Sequence, residues 1–79
     1  MKLFDEIQRQ YIEPAQNAES EFAFLNRSAR TEANYVRSML EEWFSHYPDS
    51  AKLELQTRFR SNIDSQRRAA SFELFLHEL

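Results

Sequence analysis

Two histidines, 13 acidic and ten basic residues are scattered through this chain of 79 residues, which has no cysteine. Glu73 precedes His77 by four positions, one helical turn, a spacing at which a carboxylate can orient an imidazole for proton transfer or metal binding. No second histidine stands nearby, so a contact on a helix surface is the simpler reading. His46 falls at the end of an apolar segment, where a protonated ring would complement the negative end of a helix dipole. Arg58, Arg60, Arg67 and Arg68 flank Ser61-Asn-Ile-Asp-Ser65 and form the one basic concentration, which suits phosphate contact. Glu54 and Asp64 are close enough in sequence to pair with them instead. The net charge of −3 adds no broad basic footprint for nucleic acid.

Two short stretches approach known motifs and miss them. Pro48-Asp49 followed by Glu54-Leu55-Gln56 has the outline of the acidic signature of metal-dependent nucleases. Gln56 stands where that chemistry needs lysine, and Asp49 is placed to start a helix rather than to project from a strand. His46-Tyr47-Pro48-Asp49 departs from the His-Pro-Asp loop of J-domain cochaperones by the inserted Tyr47. No catalytic set, cofactor site or metal site can be assembled from these residues, and none is expected.

The elements that must carry these side chains are helical. The chain has no glycine, which disfavours tight hairpins and phosphate-cradling loops. Leu3, Phe4, Ile7 and Tyr11 predict a short helix over residues 3–12 that stops before Pro14. Residues 14–28 read as an irregular connector, in which Phe22 and Phe24 suit an extended piece and Phe22 and Leu25 a helical turn. Ala33, Val36, Leu40, Trp43, Phe44 and Tyr47 share one stripe of a long helix, with Arg37 pointing elsewhere. Ser28 or Thr31 is its expected cap, and Pro48 ends it. Asp49 or Ser50 would cap a third helix to about Arg60, with Leu53, Leu55 and Phe59 on its apolar edge. A last helix starts near Ser65 and carries Ala69, Phe72, Phe75, Leu76 and Leu79.

The expectation is an all-α fold, a small bundle of about four helices covering about 70% of a single module, residues 1–79, roughly twice the globular average. Hydrophobic residues make up 42% and aromatics 14%, enough for a core, although a chain this short buries only ~60% of its unfolded surface. The final turns are the most apolar of all and lack a cap. That pattern points to a truncated last helix and to an N-terminal excerpt of a longer polypeptide. Neither a signal peptide nor a spanning segment is visible, which suggests a cytoplasmic protein with no membrane partner.

Phe24-Leu-Asn-Arg-Ser-Ala-Arg30, Val36-Arg37, Glu42-Trp-Phe44, Tyr47-Pro48, Arg58-Phe-Arg-Ser61 and Ala70-Ser-Phe-Glu-Leu-Phe-Leu-His-Glu-Leu79 together resemble the N-terminal part of an uncharacterised bacterial protein family. The resemblance covers most of the chain after residue 21. Longer members continue into a segment similar to restriction-endonuclease-like (PD-(D/E)xK) nucleases. It implies that any acidic and lysine motif lies beyond Leu79, and that Glu73, by helix position alone, is the counterpart of a metal-directed glutamate.

The residues favour a non-catalytic interaction or scaffolding module, with Phe72, Phe75, Leu76 and Leu79 as the face offered to a protein partner, an adjacent domain or a second copy. The alternative is the leading piece of a nuclease-like enzyme whose site is completed elsewhere. A small helical DNA-binding regulator, using the four arginines, is a third reading.

Overall fold

The computed structural model describes all residues from Met1 to Leu79. Four helices make up 62% of the chain and there is no strand. They are α1 (Glu21–Arg27), α2 (Thr31–His46), α3 (Asp49–Phe59) and α4 (Asp64–Glu78). The all-α expectation holds, and α4 packs against each of the other three. No helix is long and apolar enough to cross a membrane.

The helix predicted over residues 3–12 does not form. Residues 1–20 run as an irregular strap across the bundle, and the reason is where their polar groups go. Leu3 and Phe4 are both buried. Their amides donate to the Glu41 carboxylate at 2.8 and 3.1 Å. The Lys2 carbonyl accepts from Gln56 Nε2 at 2.5 Å and the Leu3 carbonyl from Arg60 at 2.9 Å. Arg9 donates to the carbonyls of Asp5, Ile7 and Asn26. Further along, the Ala29 amide donates to the Tyr11 carbonyl at 2.7 Å, beside an isolated parallel bridge between Tyr11 and Ser28. Ala18, at φ 65°, takes the left-handed turn that a glycine usually fills.

The connector expected over residues 14–28 ends in a helix. Ser20 accepts from the Ala23 amide as a side-chain N-cap, and the Asp64 carboxylate accepts from the Glu21 amide at 2.9 Å. These two acceptors satisfy two of the open amides at the start of α1. The helical alternative for Phe22 and Leu25 is therefore the one realised.

α2 buries Ala33, Arg37, Leu40 and Phe44, a spacing of four, three and four. Arg37 was expected to point away and instead lies on the core face. Its Nη1 donates to the carbonyls of Leu25 and Ser28 at 2.6 and 2.8 Å, satisfying the end of α1. Neither Ser28 nor Thr31 caps α2, because Arg30 occupies the N-cap without a side-chain bond. Tyr47, forced extended by Pro48, ends it. α3 likewise starts after Pro48 rather than after Asp49, which is its first residue. Of its expected apolar edge, Leu55 and Phe59 are buried and Leu53 is exposed.

The core joins Leu3, Phe4, Phe22, Leu40, Phe44, Leu55, Phe59, Ala70 and Leu74. Phe4 stacks on Phe22, with centroids 5.7 Å apart, and both meet the Phe59 ring edge to face at 5.3 and 5.9 Å. Strap, α1 and α3 thus meet in one aromatic triad, a geometry that adds to plain burial.

Removing the Glu41 carboxylate strands two amides. Glu41→Ala should lose about 2 kcal/mol or more of unfolding free energy in urea, the loss expected for charge-assisted bonds to buried partners. Glu42→Ala, at an exposed neighbouring position, should stay within about 0.5 kcal/mol of the parent.

Candidate functional site

α4 divides the apolar surface in an unexpected way. Its buried residues are Ala70 and Leu74, one turn apart. The stripe expected from the sequence lies outside this pair: Phe72, Phe75, Leu76 and Leu79 are 58, 43, 49 and 85% exposed. Among the aromatics of α2, α3 and α4, Phe44 and Phe59 are core, Trp43 packs at its margin, and Phe72 and Phe75 do not enter it.

The exposed residues of α4 meet apolar residues of α2 along a shallow groove of about 410 Å³. Val36, Met39 and Trp43 form one wall, Phe72 and Phe75 the other. Trp43 and Phe75 lie 5.9 Å apart between centroids, and Phe72 follows Phe75 at 6.3 Å. Val36 also lines a second depression with Phe24, Leu25 and Ala33, so apolar surface continues from α4 across α2 to α1. Arg30 and Glu32 lie at that end, and Arg67 and Arg68 at the other.

The four arginines read as a phosphate patch are divided among three carboxylate sets. Arg58 pairs with Glu54 and Glu73, Arg60 with Asp5, and Arg67 and Arg68 both with Glu21. The Arg68 and Arg67 guanidiniums hold the Glu21 carboxyl below the usual glutamate range. Arg58 does the same to Glu73, and Glu73 and Glu54 raise Arg58 in turn. Asn26 and Arg60 lower Asp5. In each case hydrogen bonds to the charged form outweigh partial burial.

Glu73 is therefore turned to Arg58 and not to His77, whose ring packs edge-on against Tyr47 at 5.4 Å. His46 ends α2 as expected and contacts Glu78 at 2.9 Å. Asp49 contacts Lys52 at 2.9 Å. No three carboxylate or imidazole side chains converge as a metal-ligand set would require.

No protein-family model matches the chain, and no curated protein or solved structure is significantly similar to it.

Sequence reasoning missed the structural use of Arg37, Arg9 and Glu21. For Arg37 the signal was present, since Ala33, Arg37, Leu40 and Phe44 keep helical phase. The partners of Glu21 lie 46 and 47 residues away, and nothing local marks them.

The depressed carboxyls set the acid response. A carboxylate held below its ordinary value favours the folded state above its unfolded value, 4.5 for glutamate, and that contribution disappears as pH falls through the lower folded value. Chemical-denaturation midpoints should be flat from neutrality to about pH 5 and fall below it. Glu21→Gln should be less stable at neutral pH and lose less on acidification.

Proposed function

We propose that this chain is a non-catalytic interaction module that uses the α2–α4 groove to associate with a second copy of itself. The observation that carries this reading is the continuous aromatic run from the half-exposed Phe72 and Phe75 across to the partly buried Trp43, beside Val36 and Met39. Contiguous apolar surface rimmed by polar groups marks protein contact sites in small domains. A two-fold partner needs only one patch, because each copy presents both ridge and groove. Here Phe72 and Phe75 supply the ridge, and the groove between them and the Val36 and Met39 wall is the complementary hollow.

The charges at the rim support the same occupant. Arg67 and Arg68 are bonded to Glu21, and Arg30 stands near Glu32 at the far end, so the rim carries both signs. A second copy therefore meets no single-sign field as it docks. Aromatic residues at the centre with arginines at the edge are the composition in which binding energy concentrates.

Light scattering coupled to size-exclusion chromatography should show a monomer–dimer equilibrium that shifts with concentration. Phe75→Glu should move it to monomer by tenfold or more in dissociation constant, with helicity and unfolding midpoint near those of the parent. A wild-type monomer at every accessible concentration would contradict the proposal. So would a Phe75→Glu variant that unfolds, because Phe75 would then belong to the core.

A further inference from the structure

On the side of α2 away from the aromatic groove, Ile7, Gln8, Arg9, Thr31, Asn34 and Arg37 line an open cleft of about 420 Å³, with the Ala29 backbone at its edge. The cleft contains two guanidiniums and no carboxylate. Its volume corresponds to on the order of ten waters or more, room for a small organic anion.

Arg37 is the decisive residue. It is 7% exposed, yet no carboxylate lies within ion-pairing distance. It donates to the protein through Nη1 alone, to the carbonyls of Leu25 and Ser28, which leaves the N–H groups of Nε and Nη2 without a protein acceptor. No buried side-chain nitrogen lacks a partner, so these two remain reachable from outside, while a guanidinium with so little exposure and no ion pair is costly. Burial and the neighbouring Arg9 both disfavour its charged form.

Arg9 and Arg37 also border the adjoining depression that holds Asp5, Glu6 and Glu41, yet none of these carboxylates pairs with Arg37, and Glu6 contacts Lys2 at 3.9 Å. Glu41, one turn along α2, accepts from the Leu3 and Phe4 amides. Asp5 accepts from Asn26 and Arg60. Arg9 itself is anchored by three backbone carbonyls and has no carboxylate partner.

The start of α2 adds donors to the same cleft. Arg30 gives no side-chain cap, and the first helical bond runs from the Asn34 amide to the Arg30 carbonyl. The amides of Thr31, Glu32 and Ala33 therefore donate to nothing in the protein. Thr31 and Asn34, which line the cleft, stand in that first turn. An open helix start favours negative charge, and a guanidinium fork fits a tetrahedral oxyanion.

We infer that this cleft is a binding site for a small phosphate monoester, its dianionic head received by Arg9, Arg37 and the first turn of α2. Two positive charges match a dianion better than a carboxylate. The polar lining at Gln8, Thr31 and Asn34 faces the ester substituent.

The site can be tested on the intact chain by following backbone amides and the Arg37 Nε–H by two-dimensional NMR. Glycerol phosphate, inorganic phosphate and acetate would be titrated separately at constant ionic strength. The expected result is saturable shifts at Gln8, Thr31, Asn34 and Arg37, tightest for glycerol phosphate and at least about tenfold weaker for acetate. Asn34→Asp is the cleanest variant, because an exposed acid near a helix start is harmless to the fold while it repels the ligand. It should abolish the shifts with the spectrum otherwise intact. Arg9→Gln should weaken binding about tenfold. Acetate binding as tightly as the phosphates would overturn the assignment, as would shifts unsaturated at the highest ligand concentration or unchanged in Asn34→Asp.

Discussion

The Glu41 carboxylate, accepting the amides of Leu3 and Phe4, is the contact on which the rest of the structure depends. Because residues 1–20 lie outside any helix, the backbone polar groups beside the buried Leu3 and Phe4 have no helical partners and must be satisfied by side chains. Glu41, Gln56, Arg60 and Arg9 do so along the strap. With the strap seated, Phe4 completes the triad with Phe22 and Phe59. Each of Leu3 and Phe4 is worth roughly 1.5 to 3 kcal/mol on burial, a large fraction of the stability of a domain this small. A segment with no regular secondary structure therefore serves as a fifth core element.

That constraint also marks the boundary of what was legible in the sequence. α2, α3 and α4 are readable because apolar residues at helical spacing report a local property, and Pro48 divides two of them without ambiguity. The strap was not, since Leu3, Phe4, Ile7 and Tyr11 carry the same spacing as an amphipathic helix while the groups that override it lie up to 57 residues away. α1 was hidden for a related reason: one of its two N-terminal acceptors is Asp64, on the far side of the chain. On α4 both faces are apolar, and Ala70 and Leu74 rather than the larger stripe point inward. Small Ala70 permits close approach of helices, which the bulky Phe72 and Phe75 would prevent. The four arginines were visible as a basic concentration, but their division among Glu54, Glu73, Asp5 and Glu21 is a product of tertiary structure.

The packing leaves two surfaces of different chemistry around α2. One is aromatic and flanked by charges of both signs. The other holds the buried Arg37 guanidinium, which donates to two carbonyls and pairs with no carboxylate. They share the helix that links the strap, through Glu41, to the end of α1, through Arg37. Side chains one turn apart thus divide the work of holding the fold and of leaving surface free, and the first task dictates which residues remain for the second.

The central claim is this division of the aromatics into a closed triad and an open wall. The most direct measurement is an aromatic ¹³C–¹H NMR spectrum recorded over a wide range of protein concentration. The account predicts that Trp43, Phe72 and Phe75 resonances move with concentration while those of Phe4, Phe22 and Phe59 stay fixed and well dispersed. Static resonances from the first three, or random-coil shifts from Phe4, would contradict it.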